Sequence, residues 1–474
     1  MVHPEVDALV AQAELPKGAL NLARRWAPFI HFDAREPFLP LAAGVTLFDA
    51  PGPSPSFPRD IPFPDATAAV IEYAVWWDWD IQHLYELEHI WVFLDGVGKL
   101  VRVDASWHGG FNIMQVEGTP PMADGRPVVW SEPGKHAFAA SMDALDARRT
   151  NTARSCGRYA GVGGVLVTPL FDGKIVSKTP QGDRLAHTWL ERQSFVPSFE
   201  FTQRFDLARV ALVPWPALAQ WIPQRVAGWV TELGQTIPPE DRRYLRVGHR
   251  GARAHAPENT LASFRKAVEL GADFVELDVH RSADGVPVVI HDADLARTTD
   301  GTGFVSERTL AELKQLDAGG GERIPTLAEV VAAVRDEAGL YIELKAAGTP
   351  ALVVETLRAQ DYVGACIVGS FQPELVAEAK RLEPRLRTAI LFSQIDVDAV
   401  ALARGCGADY VHPCWERSAA RPHELLTPMW IEQVRAAGLG IVAWHEERPE
   451  EIAALRRLGV DAICSDRPEL LRMR

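Results

Sequence analysis

Cysteine is scarce: five residues, an odd number, with no two spaced as Cys-x-x-Cys. That excludes a paired disulfide framework and a thiolate zinc site, and points to reduced thiols. Cys366, Cys406, Cys414 and Cys464 lie in apolar surroundings and read as core, with Cys156 the remaining thiol. No unbroken apolar run is long enough to cross a bilayer, so the chain is not expected to be transmembrane. The opening MVHPEVDALVAQAEL has neither the basic start nor the apolar centre of a secretory signal, and a cytoplasmic location is expected. Positive charge is also short: 49 Lys and Arg against 63 Asp and Glu give a net charge of −14. That argues against a nucleic-acid partner, but it leaves room for a small anion held by a local basic cluster.

The rest is the composition of a soluble globular protein, and 474 residues are too many for one ordinary core. The polar stretch GQTIPPEDRR carries two adjacent prolines and separates two halves of different texture. The reading is a mostly β domain over residues 1–235, a linker over 236–244 and a second domain over 245–474. In the second domain, short Val- and Ile-rich runs alternate with stretches of helical period. LRVGHR, DFVELDVH, LYIELK, CIVGSF, RTAILF, DYVHP, GIVAWH and DAICSD read as parallel strands. NTLASFRKAVELG reads as a helix, and Thr326 with Glu329 as a capping box. VPVVIHD begins too soon after DFVELDVH for a parallel crossover, which needs about a dozen residues, so it reads as a hairpin strand. Eight β-α steps in about 230 residues predict an α/β fold, a (β/α)8 TIM barrel with one extra hairpin strand.

Active sites of such barrels lie at the C-terminal strand ends. There the sequence places His249-Arg250, then Glu276 and Asp278, His291-Asp292, Glu343 and Lys345, Ser370-Phe371, Trp444 and Asp466. Residues two apart on a strand share a face, so each carboxylate-bearing pair points one way. Glu276, Asp278 and Glu343 offer oxygen donors suited to a hard cation, Mg²⁺ or Ca²⁺. Arg250 and Lys345 suit phosphate oxygens. His249 and His291 suit general acid and base, since imidazole titrates near neutral pH. Glu258 and Asn259 are expected to fix the first loop and cap the following helix. His255, His280, His412 and His445 are expected in loops or at the surface, with His445 as a further pocket-lining candidate.

Taken in order, GHRG, PENT, ELD, DGVPVVIHD, IELK, GSF and SDRP resemble the glycerophosphodiester phosphodiesterase family over residues 246 to 474. The resemblance implies that His249 and His291 are the catalytic pair and that Glu276, Asp278 and Glu343 hold the metal. It implies that Arg250, Lys345 and Trp444 line the phosphate and substrate pocket. The implied partner is a small phosphodiester, cleaved to an alcohol and glycerol 3-phosphate with one Mg²⁺ or Ca²⁺. That family commonly follows the tryptophan with Thr-Val-Asn, whereas this chain has His445-Glu446-Glu447. A lysophospholipid or other lipid phosphodiester as substrate, and a barrel kept for binding alone, stand as alternatives.

The first half carries proline-rich loops, tryptophan-rich apolar runs and a helical stretch, WPALAQWIPQRVAGWVTEL, with no repeat. HLYELEHIWVFLDG, SWHGG and SEPGKHAF place Glu86, Glu88, His89, His108 and His136 near strand ends. This resembles the necrosis-inducing-protein-like and Vps62-like β domains, whose motif runs Asp-Trp-Glu-His. Glu86 and Leu87 stand in place of Asp and Trp, so the metal site of those proteins is not carried over. A ligand or metal site at Glu88, His89, His108 and His136 stands beside a purely structural role in a Trp-rich core. Recognition of a substrate's bulky part, a glycan or a lipid is the expectation for this half, with hydrolysis as a second possibility.

Overall fold

The computed structural model describes residues 6, 9–10, 13–64, 66–335 and 337–472. Nine of the first twelve residues, in the segment read as lacking a secretory signal, lie outside them. The chain divides into two compact units, Met1–Lys178 with Gly182–Ile237 and Thr179–Gln181 with Pro238–Arg474.

The first unit is built on one long hairpin, Thr67–Trp79 against His83–Asp95. Aromatic and β-branched residues dominate both strands and pack well on a pleated surface. Tyr73, Trp76, Trp77, Tyr85 and Trp91 are fully buried. Leu100–Trp107 and Gly110–Ile113 extend this sheet on one side, and Ala42–Phe48 and Ala211–Pro214 on the other. A second sheet runs Phe138–Ala139, Arg126–Ser131, Phe29–Phe32, Gln203–Asp206. The helix Trp215–Thr236, in the stretch read as helical, packs on Ala42–Phe48. Gly44 allows the close approach, since a Cβ there would stand 2.8 Å from the Trp215 ring. The helix Lys17–Trp26 starts after Pro16 with no side-chain cap, so no local signal in the sequence marks it.

The second unit is a closed barrel of eight parallel strands. They are β1 (Leu245–Gly248), β2 (Phe274–Arg281), β3 (Gly339–Leu344), β4 (Cys366–Ser370), β5 (Arg387–Phe392), β6 (Tyr410–Pro413), β7 (Gly440–Ala443) and β8 (Ala462–Ser465). β1 pairs with both β2 and β8, which closes the ring. Val247, Tyr341, Ile367, Leu391, Val442 and Cys464 pack together as one cluster. The extra strand Pro287–Val289 runs antiparallel to β2, with Val279 opposite Val289. The capping box forms as the spacing predicts: Thr326 Oγ1 accepts from Glu329 N, and Glu329 Oε2 accepts from Thr326 N at 2.7 Å. Among the described residues no helix is long and apolar enough to cross a membrane.

Candidate active site

The loop leaving β1 sets the first side chains. Gly248 must be small, because a Cβ there would lie 2.6 Å from Gly251 O and 2.9 Å from the Ala267 side chain. Gly251, at φ 86°, meets Ser263 in the same way. The chain therefore turns sharply and presses His249 and Arg250 into the strand ends. Arg250 itself takes φ 50°, and its backbone N–H donates to Glu276 Oε2 at 2.8 Å.

His249 is almost fully buried, at 1% exposure, and its Nδ1 pairs with Asp466 Oδ1 at 2.5 Å. A carboxylate only accepts, so Nδ1 carries the proton and Nε2 bears the lone pair. That Nε2 is buried without a partner. Burial pushes the imidazole down to about 4, against the Asp466 hydrogen bond that raises it. His249 is thus neutral at pH 7. Trp444 packs edge-on at 4.5 Å, and the His445 ring stacks on it at 4.9 Å. Burial opposes a charge on His445, but its bond to Glu447 wins and raises it. Glu447 also accepts from Asp466 N at 2.8 Å, so His249, Asp466, Glu447 and His445 form a closed ring of contacts.

The carboxylates Glu276, Asp278 and Glu343 come together, each with an oxygen within 4.8 Å of the others. All three are buried. Asn259, at φ 58°, donates to Asp278 Oδ2 at 2.8 Å. Lys345 Nζ lies 2.5 Å from Glu343 Oε1 and 2.9 Å from Asp278 Oδ1. Glu276 Oε1 and Glu343 Oε2 are buried with no partner. Burial raises Asp278, yet Lys345, with His291 and Arg250, holds it below the ordinary carboxylate range. Burial pushes Glu276 well up, with Asp278 and Glu343 adding repulsion. Glu343 is pushed up to about 7, by burial first and Asp278 second. Three buried carboxylates against one ammonium and the Arg250 guanidinium, with orphaned oxygens, form a donor set for a divalent cation.

His291 follows the hairpin strand and pairs through Nδ1 with Asp292 Oδ1 at 2.5 Å. Arg297 clamps both Asp292 and Glu258, and Glu258 in turn accepts from Arg250 at 2.8 Å. Burial lowers His291, with Asp278 acting in the opposite sense.

Two expectations need correction. Asn259 does not cap the helix Leu261–Glu269; Thr260 does, and Asn259 reaches back to Asp278 instead. His280 and His412 are buried rather than in loops or at the surface. Each finds a partner: His280 Nε2 the carbonyl of His291, and His412 Nδ1 the hydroxyl of Tyr341 at 2.6 Å.

The four candidates of the first unit do not form one group. Glu88 bonds to Ser106. His108 pairs with Glu132 at 2.6 Å. His136 lies against Glu36 at 3.4 Å and stacks on Trp77 at 4.7 Å. His89, next to Glu88 on the strand, takes the opposite face, stacked with Trp91 and with the Phe57 ring tilted against it. Three other side chains do converge: Asp80, His83 and Glu86.

Residues 249–470 match the Glycerophosphoryl diester phosphodiesterase family. A glycerophosphodiester phosphodiesterase of Caldanaerobacter subterraneus is 35% identical over 240 residues, covering 48% of this chain and 96% of that protein. One from Bacillus subtilis is 29% identical, covering 50% and 87%. The solved structure of an Oleispira antarctica phosphodiesterase, in complex with the product sn-glycerol-3-phosphate, is 33% identical and covers 48% of this chain and 94% of that one, with a TM-score of 0.44.

Proposed function

The chain belongs to the glycerophosphodiester phosphodiesterase family, and from that membership we propose that its barrel hydrolyses soluble glycerophosphodiesters to an alcohol and glycerol 3-phosphate, by His/His acid-base chemistry beside a divalent cation. The family hydrolyses glycerophosphodiesters; the metal and the residue roles are the reading advanced here. One observation carries it. Glu276 Oε1, Glu343 Oε2 and His249 Nε2 are buried and unpartnered at one end of one barrel, beside Lys345 and Arg250.

The donor set is all oxygen, which suits Mg²⁺ or Ca²⁺ held by Glu276, Asp278 and Glu343. When bound, such an ion polarises a phosphoryl oxygen and offsets charge in the transition state. The protein's own groups do the rest. Lys345 and Arg250 draw the phosphate and neutralise its oxygens. His249, neutral and with Nε2 free, takes the proton of the attacking hydroxyl. Asp466 holds the tautomer that leaves Nε2 basic. His291, with Asp292 accepting from Nδ1, acts in its imidazolium form, which Asp278 and Asp292 favour against burial, and gives its Nε2 proton to the leaving alkoxide as the P–O bond breaks. Trp444 walls the pocket beside His249. Overall one water is consumed and one ester bond is cleaved.

The test uses metal-stripped protein with glycerophosphocholine and glycerophosphoethanolamine, following glycerol 3-phosphate before and after Mg²⁺ or Ca²⁺ is added. Product that needs the cation and falls by at least about 100-fold in His291→Ala supports the proposal. Absence of product with either cation, while lysophospholipid micelles are cleaved, overturns the soluble-substrate reading.

A further inference from the structure

The first unit holds a cluster that the barrel chemistry does not use. We propose that the turn joining its two long strands is a cation site for a divalent metal that accepts imidazole nitrogen, Zn²⁺ or Mn²⁺, with Asp80, His83 and Glu86 as ligands. This inference is independent of the barrel's reaction.

The turn is set by the backbone. Asp80 N donates to His83 O at 3.0 Å, and Asp80 Oδ1 accepts from Gln82 N at 2.7 Å, an Asx turn that fixes the carboxylate. Two residues on, Tyr85 takes φ 64°, which interrupts the alternation of the strand. His83 and Glu86, of opposite parity, thereby meet on one side, with His83 Nε2 3.7 Å from Asp80 Oδ1 and 3.8 Å from Glu86 Oε2.

The tautomer of His83 is decided by its other nitrogen. Nδ1 lies 2.9 Å from the Tyr85 carbonyl, which only accepts, so Nδ1 carries the proton. In the neutral ring Nε2 is then a lone pair facing two carboxylates at distances too long for a hydrogen bond. A ligating histidine usually presents this arrangement, with one nitrogen tied to a carbonyl and the other open. Asp80 supplies a second, independent sign: it is fully buried, and its Oδ2 has no partner. Lys135 Nζ reaches Oδ1 at 2.8 Å and leaves Oδ2 alone. Three carboxylates, Asp80, Glu86 and Glu88, act on one another around that single ammonium. Burial first, and then mutual repulsion, pushes Glu86 well up, and a divalent ion held beside it offsets that repulsion. Mixed nitrogen and oxygen donors favour Zn²⁺ or Mn²⁺ over the all-oxygen preference of Mg²⁺ and Ca²⁺. His83 and Glu86 are 15% and 14% exposed at the side chain, so an ion can enter.

The test is calorimetric titration of Zn²⁺ into tag-free, metal-stripped full chain. A barrel-blocked variant, Glu276→Gln with Asp278→Asn, Glu343→Gln and His445→Ala, which removes both groups of the barrel that could hold a metal, is expected to bind one Zn²⁺. Adding His83→Gln to it is expected to abolish that binding. In the otherwise unaltered chain His83→Gln removes one equivalent, which reads the same site if the barrel-blocked variant folds poorly. Lys135→Met, which removes the competing ammonium, is expected to tighten Zn²⁺ by about tenfold. Unchanged stoichiometry in His83→Gln, with near-ultraviolet circular dichroism like that of the unaltered chain, would overturn the proposal. So would a barrel-blocked variant that folds and binds no Zn²⁺, with Lys135 alone then serving as the counter-ion.

Discussion

Replacing Asp466 with asparagine isolates the least obvious part of the barrel chemistry. Asp466 Oδ1 accepts from His249 Nδ1 at 2.5 Å, and its other oxygen meets Arg253 Nε at 3.2 Å. Asparagine keeps the shape but removes the charge, and its amide can present an N–H to Nδ1. That forces the proton onto Nε2 and blocks the base. Loss of a hydrogen bond to a charged acceptor costs about 1.5–3 kcal/mol. At about 1.4 kcal/mol per factor of ten, kcat falls by about 10- to 100-fold. A triad aspartate elsewhere is worth more, about 10⁴-fold. The smaller figure fits here because Trp444 and the stacked His445 ring hold the His249 plane independently. The sign of the pH effect also follows. Asp466 raises His249 against the pull of burial, so its removal lowers the imidazole further. The acid limb of kcat/KM, below which the base is protonated, therefore moves to lower pH while the plateau drops. The assay is kcat and KM for glycerophosphocholine from pH 3 to 9, a range that spans the His249 limb, with divalent-cation affinity as a control. A change confined to KM, or kcat within about threefold of the parent, would refute a tautomer-holding role for Asp466.

Further outcomes follow from the same geometry. Glu343, pushed up to about 7, and Glu276, pushed higher than its ordinary range, must lose their protons to bind metal. Cation affinity should therefore weaken below pH 7, by about tenfold per pH unit for each proton displaced, in titrations run from pH 6 to 8. Asn259→Ala removes the donor at 2.8 Å from Asp278 and should weaken cation binding by about 10- to 100-fold in the same titration. Phe264, fully buried on the helix Leu261–Glu269, should cost about 3–5 kcal/mol when changed to alanine, read as a lower urea midpoint with an unchanged slope.

What the sequence discloses depends on the range of the interaction that fixes each residue. The eight barrel strands stand out because parallel strands covered on both faces are continuous Val- and Ile-rich runs, as in LYIELK and CIVGSF. The hairpin strand is visible from spacing alone, and Thr326 with Glu329 from the local capping pattern. Glu276 with Asp278 and Glu343 with Lys345 are legible as pairs because strand parity is local, and barrel closure then brings them together. Asn259 and Asp466 are fixed by partners 19 and 217 positions away, so no local pattern announces their roles. His412 is buried for the same reason, since Tyr341, its partner, lies 71 positions away.

The first unit shows how parity itself can mislead. Reading Glu88 and His89 together as neighbours overlooks that adjacent strand residues face opposite sides. Strict alternation would put His83 and Glu86 on opposite faces, but Tyr85 breaks it with a positive φ that nothing in its side chain announces. Tyrosine rarely takes that conformation, and its energy must be supplied by the surroundings. Here Tyr85 is fully buried, stacked on Trp76 at 4.9 Å and set edge-on to Phe171. Aromatic packing thus holds the strained residue, and the strained residue brings His83 to Glu86. The tryptophan-rich core and the proposed cation site are in this sense one feature. A change such as Trp76→Leu should then lower Zn²⁺ affinity in the barrel-blocked chain without touching a ligand, and equal affinity would show that the turn holds its shape unaided.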